Sequence, residues 1–500
     1  MVMKKIEKTN TKETLKSYLP LAILLVIFCA ICIPTLFRPL WFDEAYSSNL
    51  IRGDFGQIAK MTALDVHPPF YYWCLKVWSM IFGRTTFALR TLSVFFSVIS
   101  IICLYILTKR WAKSSKTATI LTALFAACPF IIYYSGEMRM YSLSCLIVIS
   151  GTLFLDLALE KNKKILWLLY SFSIIAALYT HYFTALGFLA HFIFLIFYFK
   201  KHGFNKNIIW VYILAVVAYI PWIPIVLAQT RGVENGYWPN PITPLTFTRF
   251  FSFSFVYYEA IESNLYHLLV TVIAVIVMLI VALISVPQMG KSTKEKTFLI
   301  ALLTFVPPAA LIVISVIGES VYVERYITYA IAFLWVLFGI LVLSVGKDHP
   351  KIKTLFVVLM IICFGTGLRN IYKTISLKDP FETIITRINE FDDQEAPIVY
   401  YSSDAGAIHS TIYETELHPV YSYNIDTEWG AVVPIMEYKR NYISDFEAFK
   451  EKTDAFWYLS NINYPRYIIN KEIGNKFIGE TEFREDGFIV IRFVKKETQK

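Results

Sequence analysis

The chain has 500 residues, of which 56% are hydrophobic and only 17% charged, and its mean hydropathy is +0.53. Soluble proteins carry about 25% charged residues, so this composition excludes an ordinary soluble domain and favours an integral membrane protein. Residues 1–372 hold 32 Lys and Arg against 16 Asp and Glu, whereas residues 373–500 hold 15 against 22. The basic excess lies in short loops between apolar runs, where membrane topology explains it, so no nucleic-acid partner is expected.

Apolar segments long enough to cross a membrane recur along the first three quarters of the chain, since a spanning helix needs about 20 mostly apolar residues. We predict eleven such segments, at about 18–37, 87–108, 117–134, 141–159, 165–181, 183–199, 208–228, 264–287, 297–317, 327–345 and 354–371. Lys and Arg concentrate in alternate loops, beginning with the N-terminal segment, and such loops face the cytoplasm. We therefore expect a multi-pass protein of the cell membrane with a cytoplasmic N-terminus and an extracytoplasmic C-terminal segment.

Two regions outside the predicted spans carry further structure. The first outer loop, at about 39–86, contains two stretches with one apolar face, 54–63 and 69–82, which predict short helices along the membrane surface. Strand-like runs occur later at 398–401, 456–459 and 488–491, with helical stretches near 380–391 and 443–453. We predict a transmembrane catalytic domain at 1–372, which includes the first outer loop, and an extracytoplasmic α/β domain at 373–500.

Ionisable residues close to a bilayer are expensive, so those in the first outer loop are functional candidates. The adjacent acids Asp43 and Glu44 could supply a general base for an acceptor hydroxyl and a metal ligand. Alternatively, Asp43 caps a helix that has Glu44 in its first turn. Asp65 and His67 precede a Pro-Pro pair that favours a helix start, and together they could bind a divalent cation. The alternative there is an ordinary junction between a loop and a helix.

Two short outer loops each contain an arginine. Arg139, within the segment Glu137–Tyr141, could bind a phosphate through two parallel hydrogen bonds, or could pair with the neighbouring glutamate or a lipid headgroup. Arg325, followed by Tyr326 at the start of the tenth span, is a second phosphate candidate, and its alternative is an interfacial arginine that reaches towards water. His181 lies at an outer helix end, where it could line a cavity or act as a cap.

With these clusters, the chain resembles the GT-C superfamily of membrane glycosyltransferases, in particular the glycosyltransferase family 39-like and RgtA/B/C/D-like proteins, which are related to the protein O-mannosyltransferases and the aminoarabinose transferases. The resemblance covers about residues 18–345. It rests on the order and membrane side of four motifs, namely Asp43-Glu44-Ala45-Tyr46, His67-Pro68-Pro69-Phe70-Tyr71-Tyr72, Glu137-x-Arg139-x-Tyr141 and Glu324-Arg325-Tyr326.

The resemblance implies a mainly α, polytopic GT-C fold with about eleven transmembrane helices, plus the small C-terminal α/β domain. It also implies a glycosyltransferase that takes a sugar from a polyprenyl-phosphate donor on the outer face of the membrane, by a single displacement with inversion. The donor and membrane lipid would be partners, together with an extracytoplasmic acceptor. That acceptor could be a protein, a lipid, a teichoic acid or a polysaccharide of the cell envelope, and the sugar a hexose or a pentose.

The resemblance implies roles for several residues of the four motifs. It implies Asp43 as the catalytic base, Glu44 and His67 near a metal or the donor phosphate, and Arg139 and Arg325 as partners of that phosphate. We also predict Glu44 as a catalytic residue and Tyr326 as a donor-phosphate residue. A substrate or metal site is predicted to include Asp65, His67, Glu137, Tyr141 and His181, with Glu44 and His67 as the metal ligands. The aminoarabinose transferases carry different charged residues before the Pro-Pro pair, so the need for a divalent metal stays open. No other cofactor is expected.

Two other classes of protein compete with an enzyme. A transporter or flippase of lipid-linked sugars would place polar residues near the bilayer midplane, often in two inverted repeats, and the sequence shows neither. A non-catalytic membrane scaffold that binds cell-wall polymer through its outer domain would tolerate substitutions in all four motifs.

Overall fold

The computed structural model describes most of the chain between residues 18 and 496. The described residues are 18–233, 239, 241–243, 246–257, 264–345, 349–376, 380–391, 395–401, 418–423, 442–461, 471, 473, 474, 476–485 and 487–496. They fall into two compact units, one made of residues up to Phe37 and of His67–Ile375, the other of Arg38–Val66 and Ser376–Lys500. The basic N-terminal segment 1–17, which contributed to the predicted orientation, lies outside the described residues.

Most of the described α-helices belong to the first, helical unit. They are α1 (Tyr18–Phe37), α4 (Phe70–Phe82), α5 (Thr86–Ala112), α6 (Ser115–Ala126), α7 (Pro129–Ser135), α8 (Tyr141–Lys161), α9 (Lys164–Thr180), α10 (Ala185–His202), α11 (Asn207–Tyr219), α12 (Ile223–Val233), α13 (Thr246–Val256), α14 (Asn264–Gln288), α15 (Lys291–Ile317), α16 (Thr328–Leu343) and α17 (Pro350–Ile375), with α1 ending in the 3-10 turn Ile33–Phe37. The remaining helices, α2 (Phe42–Leu50), α3 (Phe55–Leu64), α18 (Pro380–Phe391) and α19 (Phe446–Lys452), belong to the second unit.

The apolar helices confirm the polytopic, mainly α prediction. Within the described residues, nine helical segments are long and apolar enough to cross a membrane, and the bent pair α6–α7 makes a tenth candidate. The shorter apolar helix Lys164–Thr180 coincides with the remaining predicted segment. The α6–α7 pair bends by 65° at Cys128-Pro129. A residue that precedes proline avoids the helical conformation, and proline suits the first turn of the next helix.

The core of the helical unit lies around α16, which is apolar on every side and buried along almost its whole length. A helix without a polar face belongs in the interior, and α16 packs against α6, α8 and α15. Gly339 permits the close approach of α6, because a Cβ atom there would lie 2.5 Å from Leu124 Cδ1. This packing holds the N-terminal end of α16, which carries the Glu324–Ile327 turn, against the helices that surround it.

The short helices predicted in the first outer loop are present as α3 and α4. Asp54 caps α3, because its carboxylate accepts from the backbone N–H of Gln57 while the Gln57 side chain accepts from the backbone N–H of Asp54. Helix α4 begins at Phe70, so Pro69 is its N-cap and not the first helical residue that the sequence predicted.

The C-terminal part of the second unit is built on a six-stranded sheet in the order β3-β2-β1-β4-β6-β5. Its strands are β1 (Ile398–Tyr401), β2 (Val420–Tyr423), β3 (Tyr442–Ile443), β4 (Ala455–Asn461), β5 (Phe477–Glu485) and β6 (Phe488–Lys495). The first four strands pair in parallel, with Ile398 opposite Val420 and Trp457, and β6 runs antiparallel to β4 and β5. Helix α19 covers one face through Phe446, which packs with Phe456 and Ile491 in the core.

Candidate active site

Arg139 lies in the turn between α7 and α8 and is only 2% exposed. Its Nη1 donates a hydrogen bond to the hydroxyl of Tyr72 over 2.8 Å, and the guanidinium lies 5.9 Å from the centre of the Tyr72 ring. Tyr72 belongs to the first turn of α4, so the Arg139 turn and the start of α4 are held together. A buried arginine whose position is fixed by such contacts can offer planar, directed donors to an anion.

His67, which directly precedes the Pro-Pro pair, makes a second contact with Arg139. Its Nε2 lies 3.3 Å from Nη2 of Arg139, and the imidazole is buried. A guanidinium can only donate hydrogen bonds, so Nε2 of His67 is the acceptor in this contact. His67 therefore orients Arg139.

His181 brings a second imidazole to the same place. It follows α9 in an extended conformation, outside the helix, and its ring centre lies 5.7 Å from that of His67 and 4.7 Å from that of Tyr326. Burial holds the pKa of His181 well below its usual range, and His67, Arg139 and Arg325 lower the pKa further. Its Nδ1 is buried without a hydrogen-bond partner among the described residues, so this neutral ring has a polar atom available to a ligand.

Arg325 and Tyr326 belong to the short Glu324–Ile327 turn that leads into α16. The Tyr326 ring stacks on Phe183 with ring centres 5.5 Å apart and lies 5.9 Å from the Arg325 guanidinium. Hereafter the arginine–histidine cluster means Arg139, His67, His181, Tyr72, Arg325 and Tyr326. The sequence placed these residues in four separate segments, and the structure brings them together in the helical unit.

Glu137 and Tyr141 frame Arg139 in the same turn. The carbonyl of Glu137 accepts hydrogen bonds from the backbone N–H of Arg139, over 2.8 Å, and from the hydroxyl of Ser93. The ring of Tyr141, at the start of α8, lies 6.4 Å from that of His181. Glu137 therefore shapes the turn through its backbone, and Tyr141 packs against the cluster. A substrate role for their side chains stays a prediction.

The acids of the first outer loop belong to the second unit. Asp43 and Glu44 both lie in the first turn of α2, and both are buried. The N-cap of α2 is Trp41, so the alternative in which Asp43 caps the helix is wrong. Glu44 lies 3.6 Å from Nη2 of the buried Arg38. Asp65 is the C-cap of α3 and is also buried.

Glu44 and His67 are the metal ligands that the sequence suggested. Among the residues that the structure describes, no three His, Cys, Asp or Glu side chains lie close enough to hold a metal ion. The Nε2 lone pair of His67 faces the cationic Arg139, which is an unfavourable arrangement for binding a cation through that atom. The metal role of Glu44 and His67 stays a prediction.

The fold and part of the sequence match known proteins. The chain superposes on ArnT from Cupriavidus metallidurans in the apo state with a TM-score of 0.61, covering 94% of this chain and 97% of that one at 12% identity. The chain has the GT-C fold. ArnT from the same organism bound to undecaprenyl phosphate gives a TM-score of 0.57 at 13% identity, covering 93% and 97% of the two chains. Residues 66–226 match the family model described as dolichyl-phosphate-mannose-protein mannosyltransferase.

No curated protein sequence matches the chain. The GT-C resemblance inferred from the four motifs is nevertheless confirmed at the level of the superfamily. The matched segment begins at Val66, next to His67, and includes Tyr72, Arg139 and His181. The family model therefore covers most of the arginine–histidine cluster, whereas Asp43, Glu44 and the Glu324–Ile327 turn lie outside it.

Sequence reasoning missed two residues of the site. Tyr72 stands in the second motif, but its aromatic neighbours suggest packing, and only the fold shows that its hydroxyl reaches Arg139. Arg249 lies in the aromatic helix α13, and its Nε is 2.8 Å from Oε1 of Glu324. The spacing of acidic and basic residues gave no signal for a pair so distant in the chain.

Proposed function

We propose that the protein is a membrane glycosyltransferase that moves a sugar from a polyprenyl-phosphate donor to an acceptor on the outer face of the cytoplasmic membrane. The observation that carries this proposal is the arginine–histidine cluster, which holds two arginines at one site of a GT-C fold. A relative with this fold binds undecaprenyl phosphate, which supports a lipid phosphate as the ligand here. The matched mannosyltransferase family model supports sugar transfer as the reaction.

The cluster suits the departure of a lipid phosphate. When the bond between the anomeric carbon and the phosphate oxygen breaks, the electron pair stays on that oxygen and negative charge develops there. Arg139 and Arg325 are the proposed partners of this charge. Tyr72 and His67 fix the Arg139 guanidinium before the substrate arrives, so little rearrangement is needed as the charge develops. The neutral His181 adds no charge of its own to the site.

Asp43 is the proposed base. It would take the proton from the acceptor hydroxyl while the oxygen attacks the anomeric carbon from the side opposite the phosphate, which gives inversion in a single displacement. Glu44, the other candidate, is already ion-paired with Arg38.

The orientation in the membrane supports the outer face as the place of transfer. Lys and Arg of the described loops accumulate at alternate loops, as in Lys109–Lys116, Lys161–Lys164 and Lys291–Lys296, and these loops are proposed to be cytoplasmic. The cluster residues lie at the opposite helix ends. A lipid-linked donor can keep its tail in the bilayer while its sugar meets an acceptor outside the cytoplasm.

The decisive experiment compares Asp43→Asn with Asp54→Asn in membranes supplied with polyprenyl-phosphate sugar. Asp54 is a matched control, because it is an aspartate of the same loop that caps α3, and asparagine caps helices equally well. We expect Asp43→Asn to lower transfer by about 1,000-fold or more at normal expression, as loss of a general base does. Full activity in Asp43→Asn would remove the base assignment.

Mass spectrometry of lipids and glycans from a deletion strain identifies the sugar and the acceptor. Loss of one sugar from the envelope, with accumulation of its polyprenyl-phosphate form, is the result expected for a transferase. If the deleted protein were a flippase, the lipid-linked sugar would remain on the cytoplasmic side. If it were a non-catalytic scaffold, the amount of that lipid would be unchanged.

A further inference from the structure

Arg139 lies in a buried turn between two helices of the helical unit. Helix α7 ends at Ser135 and α8 begins at Tyr141, so the residues between them, Gly136–Met140, form the Arg139 turn. Every residue of this turn is buried. A helix that ends in the interior leaves carbonyl oxygens without partners inside the helix, and an unpaired carbonyl is costly away from water. The groups that pair with these carbonyls therefore decide where the turn lies.

Helix α5 supplies a hydroxyl that bonds to the turn itself. The Ser93 hydroxyl donates a hydrogen bond to the carbonyl of Glu137. The same carbonyl accepts from the backbone N–H of Arg139 over 2.8 Å. Ser93 is fully buried, so water does not compete for this bond. One carbonyl oxygen of the turn therefore joins α5 to the backbone of the residue that carries the guanidinium.

Ser97 makes contacts on both sides of the Arg139 turn. It stands four residues after Ser93, and residues with this spacing lie on the same face of a helix. Its Oγ lies 2.8 Å from the hydroxyl of Ser135, at the end of α7, and 3.1 Å from that of Ser142, in the first turn of α8. The Ser142 hydroxyl in turn donates to the carbonyl of Tyr134 over 3.1 Å. One face of α5 thus holds the turn and the two helix ends that border it.

The end of α1 also lies against the turn, at Gly136. A Cβ atom at this position would overlap Oγ1 of Thr35, so the close approach of the two segments requires glycine. The Thr35 hydroxyl is itself fixed, because it donates to the carbonyl of Cys32 over 2.7 Å. The Arg139 turn is therefore in direct contact with α1 as well as bonded to α5.

We propose that Ser93 and Ser97 are positioning residues that set the place of the Arg139 guanidinium at the donor phosphate; this inference rests on the proposed function. The two serines act through the backbone of the turn and have no contact with the phosphate. Tyr72 holds the guanidinium end of Arg139, and Ser93 holds its backbone end. An arginine held at both ends loses little freedom when an anion binds, and this preorganisation strengthens binding.

Ser100 provides a matched control on the same helix. It is fully buried like Ser93, but its hydroxyl donates to the carbonyl of Phe96, in its own helix, over 2.8 Å. Such a bond stays within one helix and has no link to a neighbouring turn. Ser100→Ala therefore removes a buried hydroxyl from α5 and leaves the contacts of the Arg139 turn in place.

The test uses the full-length protein in detergent, with undecaprenyl phosphate as the binding probe and the polyprenyl-phosphate sugar as the substrate. We expect Ser93→Ala to raise Kd for the probe and KM for the donor by about 10-fold, the factor that corresponds to one lost hydrogen bond. Ser97→Ala should raise both values in the same direction. Ser93→Thr keeps the hydroxyl and should bind the probe more tightly than Ser93→Ala. Ser100→Ala should leave both values unchanged.

The double variant Ser93→Ala with Arg139→Ala separates positioning from general support of the fold. Arg139→Ala alone gives the reference Kd for undecaprenyl phosphate. If Ser93 acts through Arg139, the loss of its hydroxyl has no further effect on Kd once the guanidinium is absent. A further loss of about 10-fold in the double variant would overturn the proposal, because Ser93 would then act on binding by another route.

The thermal stability of each variant is measured beside its affinity. A wild-type Kd in a folded Ser93→Ala protein would overturn the proposal, and so would an equal loss of affinity in Ser100→Ala. If Ser93→Ala does not fold, Ser97→Ala takes its place in the same comparisons with Ser100→Ala and Arg139→Ala. A wild-type protein that neither binds undecaprenyl phosphate nor transfers sugar would instead refute the proposed function, and this inference with it.

Discussion

Nη2 of Arg139 lies 3.3 Å from Nε2 of His67, and both side chains are buried. Because a guanidinium carries donors only, Nε2 of His67 is the acceptor in this contact. His67 then works as a hydrogen-bond acceptor that holds Arg139 in place. A metal ligand at Nε2 would have to break this contact and bring a second cation close to Arg139.

The first prediction compares His67→Gln with His67→Asn. Glutamine can place its amide oxygen near the position of Nε2 and keep an acceptor for Arg139, whereas the shorter asparagine cannot reach it. We expect His67→Gln to keep KM for the donor within about 3-fold of the wild type and His67→Asn to raise it about 10-fold, the size of one charged hydrogen bond. Steady-state kinetics with varied donor concentration measures both values.

The exposed His349 provides the control, since His349→Gln should leave the donor KM unchanged. Equal losses in His67→Gln and His67→Asn, together with a dependence of wild-type activity on added divalent cation, would contradict the acceptor role. Such a result would favour the metal role that the sequence suggested for His67 and Glu44.

The second prediction concerns pH and His181. Burial, and next the electrostatic interactions with His67, Arg139 and Arg325, hold the pKa of His181 well below the value of about 6.5 that it has in an unfolded chain. The unfolded state therefore binds a proton below about pH 6.5 that the folded state does not bind. By linkage, this histidine lowers the free energy of unfolding as the pH falls below that value, and has no such effect at about pH 7.5.

We expect His181→Gln to lose less thermal stability than the wild type between about pH 7.5 and pH 5, the range that brackets the pKa of an unfolded histidine. Differential scanning fluorimetry of both proteins across this range measures the effect, with His349→Gln as an exposed control. The Tm difference between His181→Gln and the wild type should shift in favour of the variant as the pH falls. A difference that stays constant with pH would mean that His181 has the same pKa in the folded and the unfolded protein.

Hydrophobic patterning was sufficient to predict the helical framework. A bilayer demands long apolar helices, so hydropathy alone locates eleven apolar segments, and helices of the described chain coincide with each. Patterning was least informative at two segments that depart from a straight helix of spanning length. The α6–α7 segment is broken at a proline, and α9 has only 17 residues.

Hydrophobic patterning predicted only half of the strands in the sheet. Strands β1, β4 and β6 each contain a run of consecutive buried apolar residues and were predicted, but β2, β3 and β5 were not. Strand β5 alternates buried and exposed residues only irregularly, with a register shift between Gly479 and Thr481. Strand β3 has just two residues, so it depends on pairing with β2 and has no pattern of its own.

The candidate site was predictable wherever a charge stood close to the membrane. His67, Arg139, His181 and Arg325 are conspicuous because apolar segments flank them, and the structure brings them together. The contacts of Tyr72 and Arg249 were not predictable, since each residue contacts a partner distant in the chain. Periodicity and local spacing describe neighbours along a helix or strand, whereas these contacts depend on how the helices pack.

The third prediction concerns a buried ion network away from the site. Asp156, on α8, accepts hydrogen bonds from Nε and Nη2 of Arg110, from Nε1 of Trp111 and from Nζ of Lys296, all between 2.8 and 3.0 Å. The network ties α5 and α15 to α8, and the Asp156 side chain is only 8% exposed. Removal of the Asp156 carboxylate would leave Arg110 and Lys296 without their shared partner.

We expect Asp156→Ala to lower the free energy of unfolding by about 3 kcal/mol, the usual cost of breaking a buried ion pair, and Tm by about 5 °C. Glu160 is the matched control, because it also pairs with Arg110 but is 62% exposed, so Glu160→Ala should cost less than about 1 kcal/mol. Thermal unfolding in detergent compares the two variants.

The Asp156 network lies apart from the arginine–histidine cluster, so KM for the donor should stay unchanged in the fraction of Asp156→Ala that remains folded. Equal stability of the two variants would mean that the helices pack without the Asp156 network, and a raised donor KM would mean that the network also affects the site.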